Sequence, residues 1–233
     1  NSNCSFYEFQ ADGGVLADVE LECAVNDCVH FVDFENDETL FMQGQASSSL
    51  FALTEGMVKI CTHTPDGREQ IVGLSCPSNL LVGLQSLSDE RYAYTAIAVT
   101  QVKACRINHR ALLAKVRDQG DIAVRLIQAI NAQLAHSRAL MEVMGHRCAA
   151  SKIASFILLM IPRSTHGDRD VSMPFSRVEM ASLLGLREET VCRSMAMMKR
   201  TGAINAPRGH VEIRDWDRLH DIADECCAGQ LMG

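Results

Sequence analysis

Four residues lying close together, Glu188, Glu189, Cys192 and Arg193, have the types and the spacing to read the edges of nucleic-acid bases. Glu189 and Arg193 are four apart, so on a helix they share one face. An arginine can donate two parallel hydrogen bonds to guanine, and a glutamate can accept one from cytosine N4. Together they can read a G·C step, and an i,i+4 ion pair can orient them. In isolation the same pair is an ordinary surface ion pair worth about 0.3 kcal/mol, so the reading depends on what surrounds it. Ser176, Arg177, Lys199, Arg200, Arg208 and His210 lie where phosphates can be met. Cys192 precedes Arg193 and is expected to face the same side, where an early helical position beside a guanidinium favours reactivity. Oxidising it would add bulk, and in the ionised forms negative charge, against a polyanion. The alternative is that Cys192 passively stands where a small polar residue would do.

The elements around these residues are specific. Ser176 followed three residues later by Glu179 is a capping box that opens a helix, and Gly185 closes it. A second helix runs over 188–201 and ends at Gly202. Two helices joined by a tight glycine-containing turn form a helix-turn-helix, whose second helix enters the major groove. Val191, Met195 and Met198 fall on its buried side. Two short alternating segments then flank Pro207, Arg208 and Gly209, as expected for a β-hairpin wing. Upstream, 148–161 reads as a helix stopped by Pro162, and 163–170 (RSTHGDRD) as a polar loop. The segment 216–232 reads as a final, loosely specified helix.

The first half has another rhythm. Over 31–107, short runs rich in Val, Ile, Thr, Phe and Ala alternate with Gly-, Pro- and Asp-containing turns, including Pro65-Asp66-Gly67. That pattern predicts a sandwich, jelly roll or small barrel. From 110 to 144 there is no Pro, and Gly120 separates a short helix from a long one. In the long helix Ile127, Ile130, Leu134, Ser137, Met141 and Met144 advance by threes and fours, a heptad seam with one polar intrusion. Such a seam can lie on the chain's own barrel or face a second copy. The fold class expected is α+β, with a β-rich sandwich, jelly roll or barrel over 1–109, the two helices over 110–146 and a winged helix-turn-helix over 147–233.

Composition limits the alternatives. The chain has 233 residues, 47% hydrophobic and 22% charged, which is ordinary for a globular protein. Its formal charge is −7, yet residues 1–146 hold 10 Lys+Arg against 18 Asp+Glu, while 147–233 hold 12 against 11. The acid sits in the first part, and the second can present a local basic face. The most apolar stretch, 149–162 (AASKIASFILLMIP), is shorter than a membrane span and carries Lys152. The start, NSNCSFYEFQ, lacks the features of a signal peptide. The expectation is a soluble cytoplasmic protein with no membrane partner. Ten cysteines are many for that setting, but no Cys-x-x-Cys occurs, and most read as small buried hydrophobes. A rival reading is a cupin-like catalytic or small-molecule barrel with a C-terminal interaction module. Cupin chemistry needs convergent His and Glu ligands on strands, and only His63 falls clearly on one. No phosphate loop, nucleophile elbow or His-Glu-x-x-His appears, so no enzyme is expected.

From 31 to 216 the chain resembles the Crp/Fnr family of bacterial transcription regulators. The segments GQASSSLFALTEGMVKI and PDGREQIVG are similar to its barrel, and MPFSRVEMASLLGLREETVCRSMAMMKRTGAI to its helix-turn-helix, with Glu189 and Arg193 at the base-reading positions. The resemblance implies a homodimer on double-stranded DNA, through Ile127, Ile130, Leu134, Met141 and Met144, and contact with RNA polymerase. It also implies control by a redox or gas signal. Cyclic-AMP-binding members carry a Glu after a Gly in the phosphate cassette, then Arg followed by Ser or Thr. Here the cassette reads NLLVGLQSLSDERYAYTA: Val82 and Gly83 replace the acid and Arg91 is followed by Tyr92. Cyclic AMP is therefore not expected. FNR-type members hold an iron–sulfur cluster on three clustered N-terminal cysteines and one in the barrel. Cys105 falls at the barrel position, but Cys4, Cys23 and Cys28 are dispersed, with the last two expected on a helix entering the barrel. A buried Cys105 is the favoured reading, and a cluster is the alternative. Haem is another, on the strength of Cys76-Pro77 and of His30, His63, His109 and His136.

Overall fold

A computed structural model describes residues 29–63, 69–76, 81–88, 90–161 and 169–224. Cys4, Cys23, Cys28, the Pro65-Asp66-Gly67 turn, Pro77 and everything after Asp224 lie outside these. The chain divides into two compact units, with the division between His136 and Ser137.

The first unit is built on two four-stranded antiparallel sheets. One has the order β1 (Val29–Phe34), β8 (Val102–Asn108), β3 (Ser49–Glu55), β6 (Leu81–Val82). The other has the order β2 (Thr39–Phe41), β7 (Thr95–Ala98), β4 (Val58–His63), β5 (Glu69–Ser75). The stretches 49–63 and 93–107 each divide into two strands. At the first division Gly56 has φ +86°, and a Cβ there would collide with the Gln101 carbonyl. Only glycine permits that reversal.

Side chains on a strand alternate between its faces, and β3 uses both. Phe51 and Leu53 point between the sheets, where they pack with Phe41, Val58, Val82, Tyr92, Ala96 and Val102. Leu50 and Ala52 point the other way, toward Leu81, Cys105 and Ile107. That second layer is covered by two helices, α1 (His109–Asp118) and α2 (Gly120–Gly145). Leu112 of α1 and Ile122, Leu126 and Ala129 of α2 complete it. Asn108 caps α1 by accepting from Arg110 and Ala111 N–H at 3.0 and 3.1 Å. The break between the helices is at Gln119, in an extended conformation, rather than at Gly120, which begins α2. Further along α2, burial pushes the His136 imidazole below its usual pKa, and a hydrogen bond with the Leu74 backbone partly offsets this.

The second unit contains α3 (Ala149–Leu159), α4 (Arg177–Leu184), α5 (Glu188–Arg200) and α6 (Trp216–Asp224). A small antiparallel sheet runs in the order β10 (Ile204–Asn205), β11 (His210–Ile213), β9 (Asp170–Ser172). The strand β9 corrects the sequence reading at Asp170, which that reading put in a loop, and makes the wing sheet three-stranded rather than a two-stranded hairpin. Pro162 and the rest of that loop up to residue 168 lie outside the described residues. Three residues with a single apolar Val171 give no periodicity to detect. Pairing with Val211 creates the strand. Ile153, Phe156 and Ile157 of α3 form the unit's centre. Among the described residues no helix is long and apolar enough to cross a membrane.

Candidate nucleic-acid interface

The helix-turn-helix is assembled by local interactions. The Ser176 hydroxyl accepts from Glu179 N–H at 3.1 Å and donates to the Glu179 carboxylate at 2.8 Å. The same carboxylate accepts from Ser176 N–H at 2.9 Å. Both halves of the capping box are therefore formed, and the Ser176 hydroxyl is occupied within it. As a phosphate contact Ser176 offers less than its position in the sequence implied. Gly185 closes α4 in the left-handed conformation, φ +63°, and Leu186 N–H returns to the Ala181 carbonyl at 2.9 Å. Lys152, the charge that interrupts the apolar run of α3, has its ammonium 3.4 Å from the Leu184 carbonyl. It compensates one of the unpaired carbonyls at the end of α4.

The second helix, α5, is sharply two-sided. Val191, Met195 and Met198 are buried, which contributes about 1.5–3 kcal/mol apiece. Glu188, Glu189, Cys192, Arg193, Ala196, Lys199 and Arg200 are exposed. The four candidate base-reading residues thus share the free face at the start of the helix. Two acidic residues in the first turn and two basic ones in the last match the helix dipole. Among the described residues no ion pair joins Glu189 to Arg193, so the mutual orientation read from their spacing is not formed. The C-terminus of α5 is held from α6, where an Arg218 guanidinium N–H donates to the Thr201 carbonyl. No motif in the sequence marked that contact.

The wing lies after α5. Arg208 is exposed at its turn, and Met173 N–H donates to the Gly209 carbonyl at 2.8 Å, fixing β9 against the turn. His210 is exposed, with Nδ1 3.5 Å from the Asp170 carboxylate. Asp170 was assigned to loop in the sequence, so this partner was not visible there. Arg177 is half-buried at the start of α4.

Other candidate residues are placed differently. Cys105 and Cys76 are buried, Cys105 within the apolar layer beneath α2. Among the described residues no group of three or more His, Cys, Asp or Glu is placed to hold a metal ion. The candidate cluster partners Cys4, Cys23 and Cys28 lie outside the described residues. Ile127, Ile130, Leu134, Met141 and Met144 are 41–59% exposed along one side of α2, although large and apolar. Val124, one turn before Ile127 and 54% exposed, extends the same stripe and was not included in the sequence reading.

Residues 31–119 match the cyclic nucleotide-binding domain and residues 151–222 the Crp-like helix-turn-helix domain. The chain is 31% identical over 195 residues to the nitrogen fixation regulation protein FixK of Bradyrhizobium diazoefficiens, covering 82% of this chain and 81% of that one. It is 32% identical over 187 residues to the transcriptional activator protein FnrA of Stutzerimonas stutzeri, covering 76% and 74%. The structure of FixK2 from Bradyrhizobium japonicum superposes with a TM-score of 0.74 at 22% identity, over 84% of this chain and 98% of that one. The last likeness is one of fold.

The capping box gives a first test. Ser176→Ala removes the hydroxyl but neither helix, and is expected to lower unfolding free energy by about 1 kcal/mol in urea titrations. A midpoint unchanged from wild type would mean the box adds nothing to the domain.

Proposed function

Because the chain belongs to the Crp/Fnr family of transcription regulators, we propose that it acts as a homodimer on a palindromic operator and answers a redox or gas signal. Its relatives are regulators rather than enzymes, so the cupin-like catalytic reading is set aside. The observation that carries the proposal is the two-sidedness of α5: its core side is buried in the domain, while Glu188, Glu189, Cys192 and Arg193 stand free at the end that enters a groove. The proposed division of labour is a sensory β-roll over 1–109, a dimerisation helix over 110–146 and a DNA-binding domain over 147–233. Glu189 and Arg193 read a G·C pair, with Glu188 and Cys192 beside them. Arg177, Lys199, Arg200, Arg208 and His210 meet phosphates, with Ser176 contributing mainly through the helix start it caps. The working compartment is the cytoplasm, and RNA polymerase is the protein partner. The relatives' printed description as activators supports activation as one output.

The dimer reading rests on α2. A stripe of exposed Val, Ile, Leu and Met along several turns is costly in water and is the seam of a parallel helix pair. Two recognition helices related by the resulting two-fold would sit roughly 34–36 Å apart. The redox reading rests on the exposed Cys192. Its thiolate attacks one oxygen of hydrogen peroxide, the O–O bond breaks, the sulfur is oxidised to a sulfenic acid, and the leaving hydroxide takes up one proton to become water. The new group then lies between the two base-reading side chains.

Three outcomes follow. Ile130→Glu places like charges across the seam and is expected to give monomers by light scattering, with weakened operator binding; a normal dimer would displace the seam. Arg193→Ala is expected to cost about 1–3 kcal/mol per half-site and relax preference at one G·C pair, whereas Arg208→Ala weakens all sequences alike and shallows the salt dependence by about one ion per half-site. A binding selection in which Arg193→Ala keeps full base preference removes it from the reading role. Mild peroxide is expected to abolish operator binding by wild type, reversibly with dithiothreitol, and to leave Cys192→Ser unaffected. Equal sensitivity of both proteins would move the redox response to another cysteine.

A further inference from the structure

The domain matched by residues 31–119 is named for cyclic nucleotides, yet the cassette of this chain does not fit one. Where cyclic-AMP-binding members offer a small hydroxyl, Tyr92 stands, and its ring is buried. It stacks on Phe41 with centroids 3.9 Å apart and planes 16° from parallel, and Phe41 in turn stacks on Phe51 at 5.9 Å. The hydroxyl donates to the Ser49 carbonyl at 2.6 Å and accepts from Ser49 N–H at 3.2 Å. Neither its proton nor its facing lone pair is left for a phosphate. The backbone is bound as well, to two other residues: Tyr92 N–H donates to the Gln45 carbonyl at 3.0 Å, and Gly44 N–H to the Tyr92 carbonyl at 2.8 Å. Even Arg91 turns its guanidinium to the Gly44 carbonyl, at 2.6 Å. At Gly83, φ +84°, a Cβ would lie 3.3 Å from both the Phe41 and Tyr92 rings. Both rings therefore come close to the cassette's own main chain at Gly83.

The cassette also has a second face. In β6, Val82 joins Tyr92 and Phe41 in the layer between the sheets, while Leu81 joins the layer beneath α2. Leu84 and Leu87, in the 3-10 turn Leu84–Leu87 that follows, pack on that same layer with Ile122, Leu126 and Ala129. One short segment is thus fixed by Tyr92 on one side and supports α2 on the other. We propose that Tyr92 is a covalently attached occupant of the cassette, holding β6 and the following turn against α2 so that no diffusible ligand is needed there. This goes beyond the DNA-binding reading and does not depend on it.

The test uses the full chain without DNA and reads thermal melting and amide hydrogen exchange over residues 122–129 of α2. The probes are 4-methylphenol, which is the tyrosine side chain as a free molecule, and cyclic AMP at millimolar concentration. Wild type is expected to ignore both. Tyr92→Ala is expected to melt on the order of 10 °C lower and to exchange over 122–129 at least roughly tenfold faster. Saturating 4-methylphenol is expected to reverse both effects in this variant. Tyr92→Phe, which keeps the ring, is expected to retain slow exchange in α2 while Ser49 exchanges faster. Should Tyr92→Ala not fold, Tyr92→Leu replaces it, and is expected to accelerate α2 exchange without the planar stack. The proposal is overturned by unchanged α2 exchange in Tyr92→Ala or Tyr92→Leu, by loss that 4-methylphenol does not reverse, or by a rise in wild-type melting temperature with cyclic AMP.

Discussion

Burying Ile122, Leu126 and Ala129 against the β-roll leaves Ile127, Ile130 and Leu134 on another side of the same helix, in water. A helix 26 residues long cannot turn both stripes toward one neighbour. The inner stripe is satisfied within the chain and the outer one is not, and this imbalance organises the rest. It makes the β-roll a platform that fixes which side of α2 is left over. It also means that any change in the roll reaching Leu81, Leu84 or Leu87 acts on the helix directly, since those residues share its apolar layer.

The DNA-binding unit follows a different logic, in which local contacts are closed before distant ones are needed. The capping box, the left-handed Gly185 and the buried Val191, Met195 and Met198 define α4 and α5 within 25 residues. Lys152 from α3 and Arg218 from α6 then hold one carbonyl end each of the helix pair. The residues proposed to read bases are exposed. Among the described residues Glu189 and Arg193 are not paired with each other, so in the proposed role neither would have to break an internal ion pair to meet a base.

How much of this the sequence shows depends on how local the cause is. Ser176 with Glu179, and Gly185 four residues past the middle of α4, act over one turn, and the structure has both as read. The heptad positions of α2 are legible for the same reason, and the structure adds the exposed Val124 one turn before Ile127. The strand β9 was not legible, since Asp170–Ser172 is a strand only because Val211 lies beside Val171. The Phe41–Tyr92 stack joins residues 51 positions apart, and the His210–Asp170 contact crosses the same sheet that hid β9. That Tyr92 departs from the family pattern is legible in the sequence, but the consequence needs the Ser49 backbone brought to its hydroxyl.

The order of the wing strands has an effect on how the domain is made. The strand β9 precedes the helix-turn-helix and β11 follows it, so the pairing of Val171 with Val211 closes a loop that contains both α4 and α5. Closing a loop of that length costs entropy that a hairpin of β10 and β11 alone would avoid, and it raises the contact order of an otherwise helical domain. On the ribosome, the helices can form as they emerge, but the sheet that encloses them cannot be completed until Ile213 has left the tunnel. The shortest fragment able to fold as the native DNA-binding unit must therefore begin before Asp170 and extend past Ile213.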